Sequence, residues 1–207
     1  MMGILDKAGN DRVFGKSRIE ALTDGIYAIA MTLLAISLNE PLPRGGISPI
    51  SDPLLIELVP QIVHYFISFL LLAVFWWSHH ERFHAMRSID RPLIWMNIAS
   101  LAFVALVPFS TDIVSDDPAN LHVAVIFEVN LLLIGILSWW QWYYLSVRPA
   151  HVGEHVNATD ISRETRQTLI IPILSVLAIA AGIIGFPYGT SLYFLLPVAW
   201  FASARGG

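Results

Sequence analysis

The chain has 207 residues, 56% of them hydrophobic and only 14% charged, and carries a net charge of −4. With a mean hydropathy of +0.63, it reads as an integral membrane protein and not as a water-soluble domain. It contains no cysteine, which excludes a disulfide framework and thiolate metal sites.

In chain order, hydropathy predicts six spans at about 18–38, 54–78, 92–114, 121–145, 166–185 and 189–204. The segment from Met1 to Lys16 is polar and has no apolar h-region, so the first span is expected to act as its own insertion signal. Pro41, Pro43, Gly45 and Gly46 end that span, and Ser51-Asp52-Pro53 reads as a cap that starts the second. Asp90-Arg91-Pro92 starts the third in the same manner. Ser115-Asp-Asp-Pro118 separates spans three and four, and the polar stretch Ser146 to Thr165 is the longest internal loop. Gly185-Phe-Pro-Tyr-Gly189 turns into a short last span, while Pro108, Pro172 and Pro197 read as kinks. The expected fold is all-α: one transmembrane domain over 1–207, with no soluble domain left over.

Orientation follows from the basic residues. With the amino terminus inside, Lys7, Arg12, Lys16, Arg18, Arg82, Arg87, Arg91, Arg148, Arg163, Arg166 and Arg205 are cytoplasmic, and only Arg44 is outside. This positive-inside bias puts both termini in the cytoplasm. The Asn157-Ala-Thr159 glycosylation pattern then falls on the cytoplasmic side and is discounted.

The first span is unusual because it carries acids. Glu20 and Asp24 fall in its first two turns, and an ionised side chain in hydrocarbon is expensive. Sorting the residues at about 100° each puts Ile29, Leu33 and Ile36 on one stripe, with Thr32 on its flank. Leu22 and Gly25 extend the stripe in one direction and Glu40 in the other. Asp24 lies roughly 140° away from Ile29. The stripe reads either as ordinary helix packing or as a ring of branched aliphatics around a symmetry axis, a hydrophobic constriction that conducts when wetted. For Asp24, partners at the same depth are Trp76, Trp77, Ser78, His79, His80 and Asn97, while Arg18 can pair with Asp24 or Glu20. The plain alternative is an interfacial aromatic belt with histidines facing water.

Two other signals compete. His80-Glu81-Arg82-Phe83-His84 fits H-E-x-x-H, the zinc-protease helix. It sits at a basic helix end, however, and no third ligand is apparent, since His151 and His155 have nothing tying them to it. His64 and Glu128 are isolated ionisable residues inside spans two and four; they could pair with each other or with Asn130, or serve a proton-coupled secondary transporter. There is no Thr-Val-Gly-Tyr-Gly filter, no arginine ladder and no phosphate-binding glycine loop.

The run Arg18-x-x-x-Leu22-Thr23-Asp24-Gly-Ile-Tyr-Ala-Ile-Ala-x-Thr-Leu-Leu resembles the signature of the lysosomal/endosomal potassium channel family (transmembrane protein 175) in its prokaryotic six-helix branch. The family pattern is Arg-x-x-x-Phe-Ser-Asp followed by Gly/Ala-Val/Ile-Phe-Ala-Ile-Ala-x-Thr-Leu-Leu, so Leu22 and Thr23 stand here for Phe and Ser. The Trp-Trp-Ser-His-His segment is similar as well. The resemblance implies a homotetramer in a prokaryotic plasma membrane, with the first helix of each subunit lining a central pore. It further implies that Ile29, Leu33 and Ile36 form the constriction, that Ile29 and Thr32 govern potassium preference, and that Arg18, Thr23, Asp24, Trp76, His79, His80 and Asn97 hold the pore helix to its own subunit. On this reading the chain is not an enzyme and needs no cofactor or metal. Its partners are potassium and other monovalent cations, the bilayer and its own copies, with no nucleic acid.

Overall fold

A computed structural model of the chain describes residues 2–36, 38, 52–148, 151–153, 156–186 and 189–205. The helices are α1 (Met2–Ile36), α2 (Asp52–Ala85), α3 (Arg91–Asp116), α4 (Leu121–Ser146) and α5 (Ala158–Ile183). A 3-10 turn (Gly189–Leu195) then leads into α6 (Leu196–Arg205). The proline and glycine breaks after the first span, Glu40 and His155 lie outside the described residues.

Among the described residues, five helices, rather than six, are long and apolar enough to cross a membrane; the sixth apolar segment, Gly189–Trp200, is short. The reason is local. Pro197 has no N–H to offer Tyr193, so the turn before it tightens into 3-10 geometry. Gly189 also sits so close to α5 that a Cβ there would lie 2.7 Å from the Ala178 carbonyl oxygen.

The helix starts follow capping chemistry. The Asp90 side chain accepts from Leu93 N and caps α3, with proline in its first turn, as the sequence predicts. α5 starts at Ala158, well before the expected position, because Asn157 and Asp160 form a reciprocal capping box. α2 runs on past Ser78 to Ala85: His79, Arg82 and Phe83 continue its buried face. Pro108 and Pro172 lie within α3 and α5. Pro172 makes a close crossing, since a Cβ on Gly135 of α4 would come within 2.5 Å of its ring.

α4 packs on α3 and α5, and α1 lies against α3 and α2. The main core gathers Tyr27, Ala30 and Leu34 of α1 with Leu71, Val104, Leu131 and Ile171 of the neighbouring helices. A second cluster, around Phe83, Met86, Leu93 and Trp142, closes the end where most of the basic residues lie. At this basic end the chain is pinned: Lys16 Nζ donates to Met86 O at 2.7 Å, Arg87 N to His151 O at 2.7 Å, and Tyr144 OH to Asp90 at 2.6 Å.

Candidate functional site

α1 is the least embedded of the long helices. Only 22% of the residues in its apolar window are buried, against 33–44% in the other spans. Its buried positions are Thr23, Tyr27, Ala30 and Leu34, which at 3.6 residues per turn form one seam. The remaining surface includes Leu22, Ile29 (60% exposed), Leu33 and Ile36 (72% exposed), with Gly25 and Thr32 exposed between them. Among the described residues, the aliphatic stripe is therefore an exposed face of the subunit. The Thr32 hydroxyl donates back to Ile29 O at 2.8 Å and to Ala28 O at 3.1 Å, which leaves its oxygen lone pairs directed away from the helix backbone.

The opposite side of α1 is held by specific hydrogen bonds. Asn97 Nδ2 donates to Thr23 Oγ1 at 2.9 Å, tying α3 to α1, and Thr23 itself donates to Ile19 O at 2.9 Å. Trp76 Nε1 donates to Asp24 Oδ1 at 2.9 Å, tying α2 to α1. His80 stacks on Trp76 at 5.8 Å. His79 is buried one turn beneath, with Phe83 at 4.1 Å and Tyr27 at 6.5 Å. Thr23, Asp24, Trp76, His80 and Asn97 thus come together as two clasps, and His79 packs against Tyr27 of α1 without joining them.

Arg18 does not join. It is exposed and, among the described residues, forms no ion pair with Asp24 or Glu20. The geometry explains this: residues two or six apart on a helix point in different directions, and Asp24 faces Trp76.

Arg82 and Glu164 are where the sequence reading falls short. Arg82 is counted there as a cytoplasmic charge, yet it is 2% exposed and pairs with Glu164 of α5 at 3.8 Å. Ser78 also hydrogen-bonds Glu164. The available signal is spacing: Phe75, His79, Arg82 and Met86 repeat the i, i+4, i+7, i+11 seam seen on α1, so the seam continues through charged residue types.

The competing motifs come apart. Among the described residues, no group of three His, Asp or Glu side chains could hold a metal ion. His80 is taken up by Trp76, and His151 contacts Ser88 at 2.9 Å and Asp90 at 4.0 Å. His64 and Glu128 do not pair. His64 lies 2.8 Å from Pro60 O and 3.3 Å from Thr190 Oγ1, while Glu128 accepts from Tyr193 OH at 2.5 Å. Asn130 donates to Ser110 at 3.2 Å instead. The 3-10 turn, which carries both Thr190 and Tyr193, separates the two expected relay residues.

Residues 18–108 match the family described as endosomal/lysosomal potassium channel TMEM175. A potassium channel of Streptomyces collinus is 27% identical over 182 residues, covering 86% of this chain and 82% of that protein. The endosomal/lysosomal proton channel TMEM175 of Rattus norvegicus is 29% identical over 204 residues; this chain spans 40% of it. In fold, the chain is similar to a lysosomal potassium-selective channel TMEM175 homolog from Chamaesiphon minutus, with a TM-score of 0.77 at 23% identity, covering 93% of this chain and 99% of that one.

Proposed function

This chain is a relative of the TMEM175 potassium channel family, and on that footing we propose that it forms a homotetrameric, potassium-permeable cation channel in a prokaryotic plasma membrane. Four copies of α1 surround the pore, and both termini face the cytoplasm. The observation that carries the reading is the uncovered face of α1. Ile29, Leu33 and Ile36 are exposed on the subunit surface while Thr23, Tyr27, Ala30 and Leu34 are buried on the other side of the helix.

Around a fourfold axis these aliphatics make stacked apolar rings. A ring of isoleucine offers no ligand to a dehydrated ion, so conduction requires a wetted column and the constriction acts as a hydrophobic gate. Ile29 forms the narrowest ring. Thr32, next to it, offers an acceptor oxygen to a passing cation. α1 also ends at Ile36, and the partial negative charge at four helix carboxyl ends favours cations over anions at that mouth. Thr23, Asp24, Trp76 and Asn97 hold each α1 to α2 and α3, with His79 and His80 packed about them. A selectivity loop of backbone carbonyls has no part in this arrangement.

The test is passive flux of potassium and sodium into liposomes containing the purified chain. Potassium should enter down its gradient without a coupled proton, and Ile29→Ala should raise flux while narrowing the difference between the two ions. An absence of passive potassium flux, or flux and ion preference unaltered by changes at Ile29, Thr32 and Leu33, would overturn the proposal.

A further inference from the structure

α2 is clasped to α1 on one side and borders an apolar groove of about 530 Å³ on another. Phe66, Leu70 and Ala73 of α2 form one wall, and Phe194 and Pro197 form the other. The groove exists because its two sides differ in length. The Gly189–Trp200 segment is short, while the apolar part of α2 runs for 27 residues from Val59 to Ala85. The groove is open along its rim, where Phe66, Leu70 and Phe194 are all exposed. Among the described residues its lining holds no charged side chain, and its one hydroxyl, on Tyr193, is already bonded to Glu128.

Trp77 and Trp200 stand at one end of the groove. Trp200 is level with Ser78 and Arg82, so this end is the basic one, where tryptophan favours the membrane interface. From Trp77 to Phe66 the helix rises about 16 Å, close to the roughly 15 Å of hydrocarbon in one leaflet. The groove also faces away from α1. At 100° per residue Leu70 lies about 180° from His79 and about 120° from Trp76, the two residues that meet α1. α6, on its far wall, packs on α5. With α1 on the central axis the groove therefore opens outward to lipid and not to a neighbouring copy, a conclusion that rests on the proposed pore. Lipid tails are as apolar as leucine, so preference for the groove comes from packing. A concave wall touches a chain on two sides, and its dispersion contacts add up. We propose that the groove seats one acyl chain of a phospholipid from the leaflet at the basic end. Its glycerol lies level with Trp77 and Trp200, and its chain runs toward Phe66 and Phe194.

The experiment reconstitutes the full chain in phosphatidylcholine and phosphatidylglycerol, doped with a phosphatidylcholine carrying a diazirine in mid-chain. Peptide mass spectrometry then locates the adducts after illumination. Labelling of Leu70 and Val74 should exceed that of Ile173 and Leu177, exposed aliphatics of α5, by about fivefold, or about 1 kcal/mol over a bulk chain. Ala73→Phe fills the groove, and Leu70→Trp narrows it from an exposed position that folding tolerates. In each, Val74 labelling should fall to the Ile173 level with Ile173 itself unchanged. The chain has no native cysteine, so Leu70→Cys carrying a benzophenone reports on that site alone; it should give lipid adducts and no cross-linked dimer. The proposal is overturned if Leu70 and Val74 are labelled no more than Ile173 and Leu177, or if the excess survives both blocking variants. Either result leaves the pore reading standing. A dimer cross-linked from Leu70→Cys would also overturn it, by showing a second copy in the groove, and would count against α1 on the axis as well.

Discussion

α1 and α4 each carry an acid in an apolar helix, and they treat it in opposite ways. Glu128 of α4 is enclosed by its own subunit and accepts from Tyr193; Asp24 of α1 accepts from Trp76 but stays exposed at the edge of the bundle. α4 is the hub of the fold, packed on both sides by α3 and α5, whereas α1 leans on α3 and α2 and leaves an aliphatic face open. A helix like α4 is complete within one chain. A helix like α1 is only half used within it, and its other half is where substitution should affect transport and leave folding alone.

The contrast can be tested by substitution, beginning with the scaffold. Arg82→Met leaves Glu164 buried without its partner and should destabilise the chain by about 3–5 kcal/mol. Denaturant unfolding should register that loss, and Arg82→Met combined with Glu164→Leu should recover much of it. In the hub, Leu131→Ala should cost about 2–5 kcal/mol, while Ile29→Ala on the open face should stay within about 0.5 kcal/mol of the parent. Equal costs at these two positions would mean that α1 is as embedded as α4. At the clasp, Asn97→Ala removes the bond to Thr23 and should cost about 1 kcal/mol, visible as faster amide hydrogen exchange in α1 with α4 unaffected. Trp76→Phe keeps the ring stack on His80 but drops the indole donor to Asp24; at an exposed site its effect should be smaller than that of Asn97→Ala, below about 1 kcal/mol. On the proposed assembly it should appear as weaker recovery of the tetramer after detergent extraction, with the proposed potassium preference unchanged.

Much of α1 was legible in the sequence because its two faces differ in residue type at a 3.6-residue period, and a helical wheel sorts them without any partner. The Asp90 cap was legible for a similar reason, since its chemistry is local to a few residues. The start of α5 was not: Asn157 and Asp160 begin a helix whose first turns carry Arg163, Glu164 and Arg166, and hydropathy looks past such residues. The burial of Arg82 was hidden for a related reason. An arginine reads as solvated until the residue that neutralises it is known, and Glu164 lies 82 positions away. The separation of His64 from Glu128 was equally hidden, because their partners are the neutral hydroxyls of Thr190 and Tyr193, residue types that attract no notice in a hydropathy profile.

The position of those hydroxyls in the chain sets the order in which the subunit can be finished during synthesis. α2 and α4 emerge and enter the bilayer before the Gly189–Leu195 turn exists, so His64 lacks its contact to Thr190, and Glu128 its donor, through most of translation. The last turn to be made is the one that settles them. A chain cut short before Gly189 leaves Glu128 without its donor and His64 with only its contact to Pro60 O.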